Sequence, residues 1–280
     1  MLSSGQRGQF DRDGIFRVEG AFTESEAARM RSVVWEELGH LYGMEQADPS
    51  SWHPHAPTGL KESKRHAAFG PIFGRPLCGV LDDLFGPGQW TMPRHVGQVL
   101  VTMPNATAWR VPPRLWHGDF PYLFPYGDGV GAVKVWAMFG RVGPGGGGTV
   151  QLAGSHRLVE RYLSGRSGAE LDFKLVRDGF MASHPWLKAL TKDDGDPGRN
   201  ARFMVTGTNI DGVCLRVVEL TGDPGDVFIT HPWVMHAVAP NATGLPRMMR
   251  SVAVYHARYA RNAAEPATSS SRGMPTSRGR

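Results

Sequence analysis

His117 and Asp119 stand two residues apart in Leu115-Trp116-His117-Gly118-Asp119-Phe120. On an extended strand that spacing turns both side chains to one side, where an imidazole and a carboxylate can reach one metal ion. With 11 His in 280 residues, such a pair arises by chance about as often as not. It counts only if the chain supplies further ligands. Residues 225–241 supply one: a strand, a turn at His231-Pro232, and a second strand bearing His236. Two His and one carboxylate form a facial triad that leaves three coordination positions open, an arrangement suited to Fe(II) and O2. His231 competes for the third position, and its place before Pro232 at a strand end favours His236.

Beyond His236 comes Arg247, in Leu245-Pro246-Arg247-Met248-Met249-Arg250-Ser251. On a strand Arg247, Met249, Ser251 and Tyr255 face one way, and Arg250, Val252 and Val254 the other. A guanidinium buried in a barrel is costly unless it meets an anion, and its planar fork matches a carboxylate. Arg247 and Ser251 are therefore candidates to hold the distal carboxylate of a dicarboxylic cosubstrate; the alternative is that both Arg are exposed strand residues. Trp136 is a candidate wall of the same pocket, or plain core. Trp52, Trp109, Phe120, Tyr122 and Phe124 are candidate walls of a substrate cavity.

The elements that must position these residues are mostly short strands. Runs at 96–103, 132–139, 149–152, 213–220, 226–230, 233–238 and 248–256 are β-branched or aromatic-rich and separated by Gly, Pro and Asn, as in a sandwich or jelly-roll barrel. A short strand is expected at 13–19. Helices flank the strands. Thr23 and Glu26 form a capping box for an amphipathic helix over 24–41, with Ala27, Met30, Val34, Leu38 and Leu41 on one face. A second helix is expected over 71–85, and one or two more within 156–195. Residues 43–70 read as a long loop in which His53 and His55 are surface residues. The Gly run at 143–148 lacks the Lys-Ser/Thr of a phosphate cradle and reads as a flexible loop between strands. The expected organisation is a flexible start at 1–10, a single domain over 11–261, and a disordered tail over 262–280.

Composition narrows the classes. Apolar residues make up 41% of the chain, which excludes collagen-like and wholly disordered readings. The net charge of +5 is spread without a basic stripe bearing interleaved aromatics, which argues against nucleic-acid binding and is compatible with an anionic small molecule. Cys78 and Cys214 lack a disulfide or thiolate-zinc spacing, no apolar run spans a bilayer, and no signal-peptide core opens the chain. A soluble, cytoplasmic protein without a membrane partner is expected.

Taken in order, several segments resemble the phytanoyl-CoA hydroxylase (phytanoyl-CoA dioxygenase) family of Fe(II)- and 2-oxoglutarate-dependent oxygenases. They are the capped helix after Gly20-Ala21-Phe22, Trp116-His117-Gly118-Asp119, Val135-Trp136-Ala137-Met138, Gly154-Ser155-His156 after a Gly-rich turn, Gly225-Asp226-Val227, His236 to Asn241, and Arg247. The resemblance covers most of the chain. It implies a mainly β double-stranded β-helix (a cupin-like jelly roll), iron on His117, Asp119 and His236, and 2-oxoglutarate whose far carboxylate pairs with Arg247. It further implies oxidation of an unactivated C–H bond of a small molecule by O2, with release of succinate and CO2. Related halogenases lack a carboxylate at the second ligand position, so Asp119 implies hydroxylation, desaturation or cyclisation. Gly118 departs from the family, where Gln or Leu is usual, and removes a side chain that would be a candidate contact for cosubstrate or substrate. Two alternatives stay open: a metal-dependent oxygenase or isomerase without 2-oxoglutarate, and a binding protein on a degenerate barrel.

Overall fold

Alternating inner and outer positions build two antiparallel sheets in the computed structural model, which describes residues 1–52, 57–93, 97–119, 130–166 and 173–259. One sheet has the spatial order β1 (Ile15–Val18), β7 (Val227–Thr230), β3 (Ala132–Met138), β9 (Arg247–Tyr255), β2 (Gln98–Thr102). The other has the order β5 (Thr208–Ile210), β6 (Val213–Glu219), β4 (Val150–Ala153), β8 (His236–Ala237), and the pair His117–His236 adds residue 117 at its edge. Side chains alternate across each strand. Val133, Val135 and Ala137 of β3 join the core outside the first sheet, while Trp136 and Met138 pack inward with Ala153, Met249 and Val218. Two facing sheets wrapped by helices make the double-stranded β-helix expected from the sequence.

Helices cover both outer faces. α2 (Glu24–Tyr42) carries the full capping box between Thr23 and Glu26 and buries Ala27, Met30, Val34 and Leu38. Leu41, placed on that face by its spacing, is exposed instead. α3 (Arg75–Phe85) starts later than the expected residue 71. The extended Gly74 separates it from a tight turn over Ala67–Phe73, and Pro76, which has no N–H to pair, falls in its first turn. Against the second sheet pack α4 (Ser155–Leu163), α5 (Phe173–Ala182) and α6 (Pro185–Leu190).

Three expectations need correction. Residues 1–10 are not an idle start: α1 (Ser4–Asp13) has a capping box between Ser3 and Gln6, and it buries Phe10 edge-on to Phe16 at 5.6 Å. A boundary at residue 11 would cut this helix. The expected strand over 233–238 shrinks to His236–Ala237, because residues 231–234 form a turn. The Gly run is a loop between β3 and β4, but it does not lie free. The Glu219 carboxylate accepts from the N–H groups of Gly145 (2.8 Å), Gly147 (3.1 Å) and Gly148 (3.0 Å). A Cβ on Gly148 would lie 2.1 Å from the Leu220 carbonyl oxygen, so glycine is required there. His53, His55, Phe120, Tyr122, Phe124 and the tail beyond residue 259 lie outside the described residues.

Candidate metal centre

Backbone pairing brings the first two candidate residues to the third. His117 and His236 exchange both of their backbone hydrogen bonds, at 2.9 and 2.7 Å, and the Asp119 N–H donates to the Pro232 carbonyl at 2.8 Å. Residues 117 and 119 therefore face β8 with their side chains on its inner side. One ligand atom from each of His117, Asp119 and His236 lies within 4.8 Å of the others.

Local contacts aim the rings. His117 Nδ1 lies 2.8 Å from the Leu115 carbonyl and His236 Nδ1 lies 3.1 Å from that of Val234. Each Nδ1–H that donates to its carbonyl leaves Nε2 as the nitrogen that a metal would take. Leu115 holds a left-handed conformation (φ 65°) with its side chain exposed, an unusual backbone placed at the entrance to the motif. Trp136 buttresses His236 edge-on at 5.3 Å and is itself held by its indole N–H donating to Thr230 Oγ1 at 2.9 Å.

The donor set fits a divalent first-row cation. Burial pushes the His236 imidazole down to about 4 despite the nearby Asp119, so the ring is neutral at pH 7. Burial alone would raise the Asp119 carboxyl, but His236 and Lys134 outweigh it and hold the group below its usual range. Asp119 Oδ2 is buried and ion-paired with the Lys134 ammonium at 3.1 Å, with His236 Nε2 3.8 Å away.

Arg247 is buried in the same interior. Its Nη1 donates to Thr149 Oγ1 at 3.2 Å and its Nη2 to Thr102 Oγ1 at 2.5 Å, while Nε has no partner among the described residues. Burial lowers the guanidinium to about 10, partly countered by Glu219, so it stays charged at neutral pH. Among the described residues no carboxylate forms an ion pair with it.

Other candidates fall elsewhere. Ser251 is on the inner face of β9, but opposite Trp136 and four residues from Arg247, about 13 Å along a strand. The hydroxyls beside Arg247 are those of Thr102 and Thr149. Arg250 points outward, donating to the Ser63 and Lys64 carbonyls beneath the Phe69 ring. His231 packs 5.1 Å from His156 and 6.0 Å from Phe10, and its Nδ1 accepts from the Trp233 N–H, so it caps the turn rather than joining the triad. A side chain at Gly118 would meet Met235 Sδ at 3.3 Å and the backbone of 232–233, on the face opposite the ligands. Gly118 therefore concerns packing, not a cosubstrate contact. Trp52 stacks on Trp35 at the surface of α2 and Trp109 lies against Gly145, so neither lines the triad. Gly154-Ser155-His156 is structural: the Ser155 hydroxyl accepts from the Met235 N–H next to His236.

Sequence reasoning missed Lys134, Gln151 and Arg199. The first two carry a signal, a polar residue at an inner position of an otherwise apolar strand. Arg199 has none, because its role depends on remote carbonyls.

No curated protein matches the chain. Among solved structures the fold is shared with HygX from Streptomyces hygroscopicus, crystallised with nickel and 2-oxoglutarate (17% identity, 91% of this chain and 88% of that one, TM-score 0.54). It is shared also with AviO1 from Streptomyces viridochromogenes Tue57 (14% identity, 91% and 96%, TM-score 0.51). A third is the non-heme α-ketoglutarate-dependent epimerase SnoN from nogalamycin biosynthesis (14% identity, 89% and 79%, TM-score 0.50). Likeness at these identities carries the fold alone. The family model for phytanoyl-CoA dioxygenase, however, matches residues 10–249, a span that holds both strands of the triad and Arg247, and the chain belongs to that family.

Proposed function

We propose that this protein is an Fe(II)- and 2-oxoglutarate-dependent oxygenase that hydroxylates a C–H bond of a small-molecule substrate. The observation that carries the reading is the pairing, inside one β-helix, of a two-His, one-carboxylate cluster with a buried, charged arginine that forms no ion pair among the described residues. Iron bound by His117, Asp119 and His236 would supply O2 chemistry coupled to oxidative decarboxylation of 2-oxoglutarate to succinate and CO2.

The chain's own groups do the positioning. Arg247, steadied by Thr102 and Thr149, is the partner for the far carboxylate of the cosubstrate. Trp136 fixes the His236 ring and Ser251 lines the interior beside it. Asp119 fills the ligand position with a carboxylate, which supports oxygenation over halogenation.

The test is an anaerobic titration of the Fe(II)-loaded protein with 2-oxoglutarate, followed by its charge-transfer absorption. Arg247→Met is expected to weaken 2-oxoglutarate binding about 100-fold while leaving metal affinity unchanged. Equal affinity in the variant would overturn the assignment of Arg247. Turnover that consumes no 2-oxoglutarate, or a product isomeric with its substrate, would favour the alternative enzymes on the same barrel.

A further inference from the structure

Gln151 lies on the inner face of β4 and is fully buried, and neither Oε1 nor Nε2 has a hydrogen-bond partner among the described residues. An amide sealed from water with both ends unpaired is destabilising, so its retention calls for a ligand. Its place in the sheet says which. Gln151 is in register with His236 on β8, so both side chains project from the same face. Two residues back on that face is Thr149, whose hydroxyl accepts from Arg247. Gln151 therefore stands between the metal ligands and the arginine. It pairs with Val218 of β6, and the inner faces there carry the apolar cluster of Trp136, Ala153, Val218 and Met249. Arg247 Nε is a second buried donor without a partner among the described residues.

We propose that Gln151 is a positioning residue of the cosubstrate site, its amide N–H donating to an oxygen of the keto acid that spans the triad and Arg247. This rests on the reading given under Proposed function. The amide reaches from a third strand to a ligand already held at its two ends, and so restricts its rotation about the line joining them.

The experiment compares wild type, Gln151→Leu, Gln151→Met and Gln151→Glu by three readouts: Fe(II) affinity alone, 2-oxoglutarate affinity from the anaerobic charge-transfer band, and thermal unfolding without metal. Leu and Met are expected to keep metal affinity, weaken 2-oxoglutarate roughly 10-fold or more, and shift the band. Both should raise the metal-free Tm by a few degrees, since the orphaned amide is gone. Glu should bind metal and lose 2-oxoglutarate by over roughly 100-fold, because it sets a carboxylate against the ligand's own. If Leu or Met leaves 2-oxoglutarate affinity and band position unchanged, the positioning role is wrong. A lowered Tm with that result would mark a purely structural glutamine. Failure of the wild type itself to give a band overturns the underlying reading instead, so the two failures are distinct.

Discussion

Asp119 is the residue on which the charges of the site converge. Its carboxylate faces two imidazoles and the Lys134 ammonium, with one oxygen buried against that ammonium. Lys134 compensates it in the absence of metal, and a cation would have to share it. Asp119→Asn keeps the shape and removes the charge. It is expected to lower metal affinity at least 10-fold and, by removing the negative charge of the Asp119–Lys134 ion pair, to cost roughly 1–3 kcal/mol of metal-free stability. Isothermal titration with Fe(II) or Co(II) and urea unfolding measure the two effects. Unchanged metal affinity would remove Asp119 from the ligand set.

At the scale of elements, the ligand strand is held by an arginine far away in sequence. Arg199 is 1% exposed and donates to the carbonyls of Val111 (2.7 Å) and Pro112 (3.2 Å) on the approach to His117. It also donates to Ala189, Leu190 and Lys192 at the end of α6. One guanidinium thus ties the triad's first strand to the helical layer. Arg199→Met leaves those carbonyls unpaired and is expected to cost about 3 kcal/mol, with a parallel loss of metal affinity. If unfolding changes and metal binding does not, the anchor is structural only. Asn241 serves the other side, its Nδ2 donating to the Thr102 and Leu245 carbonyls and so fixing the turn that delivers Arg247.

Across the whole molecule, α1, β1, α4 and the turn after β7 meet around two histidines, His156 buried and His231 half-buried. His156 lies against Gly14, its Nδ1 without a partner among the described residues, and burial pushes it down to about 4. His231 is lowered too, by burial and by His156. Because the folded-state values lie below that of the unfolded chain, the unfolded state takes up protons first on acidification. The stability these rings contribute is complete above about pH 6.5 and drains as the pH falls toward 4. For His156 the full loss is about 3 kcal/mol. Metal-free Tm should therefore fall across that window, and less steeply in His156→Phe. Parallel Tm profiles for the two proteins would rule out His156 as a source of the slope.

What the sequence determined was local in origin. Period-two runs dictated strands and period-3.6 runs helices, and the capping box of α2 was readable because every partner lies within three residues. The spacing of His117 and Asp119 set which side of a strand they share, so the donor types were legible before any pairing was known. The capping box of α1 was equally local but was hidden by a stretch with a single buried apolar residue, Phe10. Tertiary structure decided the rest, because each remaining assignment depends on a partner far along the chain. Pairing with His236 placed the triad, and the distance along β9 separated Ser251 from Arg247. Glu219 tied down the glycine run, and Gln151 emerged as an unpaired amide only once two sheets had closed over it. Burial and partnership are properties of the packed interior, and no spacing along a single strand can encode them.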